Sequence, residues 1–350
     1  MECRETGCLV THLNLPGFVL GMIGLSHEDI SLAKINNPVQ ITQKQDFLCF
    51  VKADCVHLSW KNDTTMKLSN GIISVEVAPH GAELVSLTKG RREYMWCGDA
   101  KYWNRHAPIL FPAVGKPYNN EIRIDGHVFT MKQHGFARDC EFEEVGEGRL
   151  RMKEFRPENY PYRFALEAEY RLDGNRVDII WTVENLDDRD LYAQIGAHPA
   201  FQLPGYDPAD DVHGFVRYLD HEGRPFRPVV VSDLADGNRV PLPEAVHLPE
   251  EMPIAGDTFA HDAWIIEEMQ VTATELLDKQ GDPVLRVDCP QAEAYGIWAP
   301  NKPGCPFVCL EPWCGLCDRQ GYTGDISGRT YIHRVAPGEK YSFIYSISVF

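Results

Sequence analysis

The sequence predicts an all-β protein, a large antiparallel β-sandwich. Three observations carry this. Apolar residues recur at every second position in run after run, the period of a half-buried strand. Clusters of glycine, proline, aspartate and asparagine separate the runs and supply turn chemistry. Helical periodicity is scarce, and neither a fixed-period repeat nor a βαβ alternation occurs, which argues against parallel α/β architectures.

Along the chain, residues 1–65 stand apart. They hold four of the eleven cysteines (Cys3, Cys8, Cys49 and Cys55) and show no sustained period. One short helix is expected around Ser26 to Ile35, with Ser26 as its cap and Asp29 in the first turn. We expect residues 1–65 to be a non-core N-terminal extension, as a mis-assigned translation start would produce; the competing reading is a small accessory segment. A single domain is expected over residues 66–350. In it, Ile73, Val75 and Val77 alternate with Ser74 and Glu76. Phe164, Leu166, Ala168 and Tyr170 form a second alternation, Asp173-Gly174-Asn175 a turn, and Val177, Ile179, Trp181 and Val183 the returning strand. This is a hairpin signature. Tyr341, Phe343, Tyr345, Ile347 and Val349 close the chain with the same period.

Composition narrows the function. The chain has 350 residues, enough for a large core without disulfides or metals. With 34 basic against 51 acidic residues the net charge is −17, which disfavours phosphate backbones and anionic membrane surfaces. No apolar run approaches a transmembrane span. The N-terminal apolar stretch is broken by His12, Asn14 and Pro16, so no secretory signal is expected. The odd cysteine number reads as reduced thiols in a cytoplasmic protein. Oligomeric state is not legible.

Three segments depart from the strand-and-turn background. The first is Trp103-Asn104-Arg105-His106-Ala107-Pro108-Ile109-Leu110-Phe111-Pro112-Ala113-Val114-Gly115, followed by Gln133-His134-Gly135-Phe136-Ala137-Arg138-Asp139. The second is Gly196-Ala197-His198-Pro199-Ala200-Phe201, and the third Cys309-Leu310-Glu311-Pro312-Trp313-Cys314-Gly315-Leu316-Cys317-Asp318. Each sets a titratable side chain among small, aromatic or proline residues, which let a ligand approach and keep a loop rigid.

Together and in this order, these segments resemble the aldose 1-epimerase (galactose mutarotase) superfamily, and within it the subgroup typified by a mutarotase-like protein of lactose operons. The resemblance covers roughly Met66 to Phe350. It implies a supersandwich fold and mutarotation, the interconversion of the α and β anomers of a free hexose. A base takes the proton of the anomeric hydroxyl, an acid protonates the ring oxygen, and the ring opens and recloses on the other face. The step is an isomerisation, so no redox cofactor or metal is required. The resemblance assigns Glu311 as base, His198 as acid at the ring oxygen, and His134 as the second histidine near that oxygen. Arg105 and Asp262 resemble residues that bind sugar hydroxyls, and the residue type of Trp313 suits stacking on a sugar face.

The Thr-His-x-Tyr-Phe type signatures of the best-known galactose mutarotases are replaced here by HGFARD and HPAF, which leaves the choice of sugar open. Two alternatives stand beside the free-hexose enzyme: a hexose-6-phosphate 1-epimerase, and a carbohydrate-binding protein of the same fold without catalysis. Lys116, Arg123 and Arg138 are the cations available to a phosphate, and they form no basic cluster. A zinc site built from Cys305, Cys309, Cys314 and Cys317 is a weaker reading, because their spacing is not a paired knuckle.

Overall fold

The computed structural model describes residues 10–15, 18–24, 30–34, 47–52, 55–60, 65–153 and 158–350. The chain partitions into two units, residues 1–50 with 58–61, and residues 51–57 with 62–350. In the first, Val10–Leu15, Phe18–Gly24 and Ile30–Lys34 form a three-stranded antiparallel sheet. The helix expected around Ser26 to Ile35 is therefore corrected: Ile30–Lys34 is a strand paired with Phe18–Gly24, and Ser26–Asp29 lies outside the described residues. Ile30 and Leu32 alternate with Ser31 and Ala33, and pairing outweighs a weak capping signal.

The second unit is built on a nine-stranded antiparallel sheet. Its central strands are Phe164–Asp173, Arg176–Asn185 and Lys340–Val349, followed by Pro283–Asp288. Phe164–Asp173 and Arg176–Asn185 form the expected hairpin, closing at the Asp173–Arg176 pair with Gly174 at φ 57°. Every second residue is buried, as the alternation requires: Leu166, Ala168 and Tyr170, then Val177, Ile179, Trp181 and Val183, then Phe343, Tyr345, Ile347 and Val349. Each fully buried apolar side chain of this kind contributes about 1.5–3 kcal/mol. Among the described residues no helix is long and apolar enough to cross a membrane.

A second sheet orders Ile109–Leu110, Ile195–Ala197, Phe307–Cys314, Ala294–Trp298 and Trp264–Ile266, with Ala200–Gln202 also paired to Phe307–Cys314. Its central strand, Phe307–Cys314, is buried at all eight positions. Val308, Leu310 and Cys314 join the main core together with Ile179, Phe343 and Ile347 of the nine-stranded sheet. The opposite face carries Phe307, Cys309, Glu311 and Trp313, which belong to other surroundings. The strand thus has two dry sides, and one of them is the site.

Candidate active site

Glu311 sits at the middle of this two-sided strand, and one continuous register, Gly196 opposite Trp313 and Ala200 opposite Cys309, sets His198 across from it. Ile195–Ala197 and Ala200–Gln202 both pair with Phe307–Cys314, and His198-Pro199 is the interruption between them. Backbone donors alternate sides along a strand. Leu310 donates to Pro199 O at 3.2 Å, so position 312 faces the same neighbour, opposite Ala197. Pro312 and Pro199 have no N–H, so the ladder loses a donor on each side of the His198–Glu311 pair. The result places His198 Nε2 3.2 Å from Glu311 Oε2. The two atoms are near enough to exchange a proton but not aligned as a hydrogen bond.

His134 reaches the same place from another loop. It adopts φ 66° and Gly135 follows at φ 71°. A Cβ on Gly135 would lie 2.1 Å from Phe111 O, so only glycine permits this approach. His134 N donates to Gly115 O at 2.8 Å, and Gly115 N donates back to His134 Nδ1 at 3.2 Å. Accepting at Nδ1 leaves the neutral ring's proton on Nε2, 3.3 Å from the Gln133 side-chain amide, which then turns its oxygen to accept it. The rings of His134 and His198 meet edge to face at 5.5 Å.

Aromatic rings hold the histidine in place. Trp103 stacks on His198 at 4.8 Å, and Trp298 meets it edge-on at 5.5 Å. Trp313 is clasped by two glycines. A Cβ on Gly196 would fall 2.8 Å from its Cδ1, and one on Gly296 would fall 2.5 Å from its Cζ2. Both glycines sit beside it in register, Gly196 opposite Trp313 and Gly296 opposite Glu311. Further out, the buried Glu83 carboxylate accepts from the backbone N–H of His106 at 2.6 Å and of Ala107 at 2.8 Å, which fixes the start of the segment leading to Gly115.

These groups line a cavity of about 350 Å³, a size proper to small-molecule sites of about 300–1,000 Å³. Glu311, His198, His134, Asp262 and Trp313 all face it. Arg105 is not among its lining residues; its guanidinium is held by Asp139 Oδ1 at 2.6 Å and by the Arg138 carbonyl. Arg138 does line it, donating Nη2 to Gln133 O at 2.8 Å while its buried Nε has no hydrogen-bond partner among the described residues. Trp103, Trp298 and Gln133 are also wall residues. Sequence reasoning left them without a role, although Trp103 and Gln133 lie inside the segments it singled out.

The electrostatics are those of a dry site. Burial, reinforced by the charge of Asp262, pushes the Glu311 carboxyl well above the ordinary carboxylate range. Burial, helped by Arg138, pulls His198 down to about 3. His134 is likewise driven well below 6.5 by burial, then by Arg138 and His198. The favoured arrangement is a carboxylic acid beside a neutral imidazole, with one proton between them. Glu311 Oε2, His198 Nδ1 and Trp313 Nε1 are buried without hydrogen-bond partners among the described residues, so polar capacity at this wall is unspent.

The four cysteines of the weaker zinc reading do not gather together. Cys309 gathers with His198 and Glu311, whereas Cys314 gathers with Glu293 and His333. Burial pushes the Cys305 thiol up to about 11 and that of Cys317 to about 12.

Known proteins are similar to this chain in sequence and in fold. A family model described as aldose 1-epimerase matches residues 64–348. The chromosomal LacX protein of Lactococcus lactis subsp. lactis is 28% identical over 303 residues, covering 81% of this chain and 99% of the relative. A galactose mutarotase related enzyme from Lactobacillus acidophilus superposes with a TM-score of 0.74 at 26% identity, over 82% of this chain and 97% of its own. A galactose mutarotase-like protein from Lactobacillus casei shares the fold, with a TM-score of 0.72 at 24% identity over 82% and 100%.

Proposed function

The chain belongs to the aldose 1-epimerase family, and from that premise we propose that it is a mutarotase that opens and recloses a free hexose through Glu311 and His198. The observation that carries this reading is the 3.2 Å approach of the two side chains at the wall of a sugar-sized cavity. The anomeric hydroxyl and the ring oxygen are bonded to the same carbon. An acid and a base that serve both must therefore stand side by side.

In the proposed cycle the Glu311 carboxylate takes the O1 proton as the C1–O1 bond becomes a carbonyl. The C1–O5 bond breaks, and O5 takes a proton from the His198 imidazolium. Rotation about C1–C2 turns the aldehyde, and the reverse transfers close the ring on the other face. Ring opening leaves Glu311 protonated and His198 neutral, which is the arrangement that burial of both groups favours. The resting pair reaches the starting state by passing the Glu311 proton to His198; each half-cycle then moves one proton onto one partner and one off the other, and none is consumed. His134 offers a donor at Nε2 beside the ring oxygen. Asp262 and Arg138 supply an acceptor and a donor for hydroxyls, and the tryptophans supply an apolar wall.

Of the three cations named for a phosphate, Lys116 and Arg123 are engaged and do not line the cavity, which leaves Arg138 alone at its wall and favours a free sugar over a hexose 6-phosphate. Lys116 Nζ is bound by Asp236, through its carbonyl and its carboxylate, both at 2.8 Å. Arg123 pairs with Glu121 at 3.0 Å. A purely binding protein would gain nothing from a buried acid–base pair. Polarimetry of freshly dissolved α-D-glucose and α-D-galactose tests the reading, with hexose 6-phosphates in parallel. Faster relaxation of a free sugar is expected. Acceleration of the 6-phosphates alone would move the assignment to the phosphorylated substrate, and no acceleration of either would leave a binding protein.

A further inference from the structure

The far face of the Glu311 strand carries a second cluster that the proposed cycle does not use. Cys314 ends that strand, three residues beyond Glu311, and points into the main core. Glu293 immediately precedes Ala294–Trp298, and His333 opens His333–Val335. A carboxylate oxygen of Glu293, a ring nitrogen of His333 and the Cys314 sulfur all lie within 4.8 Å of one another. His333 Nε2 is 3.1 Å from Glu293 Oε2. Tyr341 stacks on the imidazole at 4.3 Å, with its hydroxyl 3.4 Å from the same nitrogen. The thiol donates to Gln291 O at 3.2 Å.

We propose that Glu293, Cys314 and His333 form a metal site that takes zinc. A thiolate, an imidazole and a carboxylate are the mixed donor set of a borderline-soft divalent ion, and three protein ligands leave one position for water. Tetrahedral bonds of about 2.0–2.3 Å place ligand atoms roughly 3.3–3.8 Å apart. The three side chains here need to draw together by only about an ångström. Cys314 is fully buried, while the His333 and Glu293 side chains are 22% and 20% exposed, so the site has a dry end and an open end. Loading displaces the protons of the thiol and of any imidazolium. The ion would tie the Glu311 strand to His333–Val335 and to the start of Ala294–Trp298. The proposal does not depend on the epimerase reading.

The test uses the reduced, metal-stripped full chain titrated with Co(II), then with zinc. The expected result is a tetrahedral cobalt spectrum with a thiolate charge-transfer band, saturating at one equivalent and bleached by zinc. Cys314→Ser should abolish that band. Glu293→Gln, at a partly exposed position that tolerates change, should weaken cobalt binding at least about tenfold. Cys309→Ser, in the neighbouring His198–Cys309–Glu311 group, should leave the spectrum unchanged. No saturable tetrahedral spectrum would overturn the site. So would a band that survives Cys314→Ser and Glu293→Gln, or one that Cys309→Ser removes.

Discussion

Replacing His198 by Gln should make the protein markedly more tolerant of acid. Burial holds the folded-state pKa of His198 near 3, against 6.5 for the free side chain, with Arg138 adding to the depression. For a depressed pKa the contribution to stability is complete above the unfolded value and drains away as pH falls towards the folded one. Between pH 7.5 and pH 4 that loss amounts to about 3 kcal/mol, and it approaches 5 kcal/mol below about pH 3. Gln cannot titrate, and its amide nitrogen can occupy the place of Nε2 beside Glu311. The assay is the thermal midpoint of wild type and variant measured across this pH range. The wild-type midpoint should fall by roughly 5–10 °C more than that of the variant by pH 4. Parallel curves would refute the reasoning, because they would mean that His198 charges in the folded protein at no special cost.

Four further outcomes follow from the same geometry. Glu311→Gln should raise the thermal midpoint at neutral and alkaline pH, since a raised folded pKa makes the carboxyl a growing liability as pH rises; an unchanged or lower midpoint at pH 8 counts against a dry Glu311. Asp262→Asn removes the charge that adds to burial in holding the Glu311 pKa up, so the alkaline limb of the activity–pH profile should move to lower pH; a limb that stays in place would show that burial acts alone. Gly196→Ala drives a methyl into Trp313 and should cost about 1–3 kcal/mol in urea unfolding while lowering kcat/KM; full activity would show that the indole is free to move. Arg239→Met strands Glu267, whose 2.6 Å pair with Arg239 is buried, and should cost about 3–5 kcal/mol; a loss under 1 kcal/mol would mean that water reaches the pair.

Much of the fold is legible because its strands bury one face. Leu166, Tyr170, Ile179 and Phe343 announce their sides by alternation, and Asp173-Gly174-Asn175 announces the turn between two of them. Phe307–Cys314 is harder to read. Buried on both faces, it shows no alternation, and its proline reads as a loop. Its register with Ile195–Ala197 and Ala200–Gln202 explains why His198 and Glu311, far apart in sequence, meet. Their chemistry is visible locally, as single titratable residues among small and aromatic ones, but their contact is a product of register. Trp298 carries no such local mark as a wall residue, and long-range pairing places it; Arg138 lies in a marked segment, and the His134 turn brings it to the wall. Glu293 and His333 belong to the same kind, brought to Cys314 by strands that are distant in sequence. The short helix expected near Ser26 failed for the converse reason, because a cap signal is local and Ile30–Lys34 found a partner strand.

The central claim is that Glu311 and His198 pass a proton to and from the anomeric centre. Polarimetry of freshly dissolved α-D-glucose and α-D-galactose with wild type and Glu311→Gln tests it most directly, both proteins being shown folded by their thermal transitions. The account predicts that wild type speeds equilibration of at least one sugar and that the variant loses on the order of 10²–10⁴-fold of that rate. A variant that equilibrates the sugar as fast as wild type would contradict it.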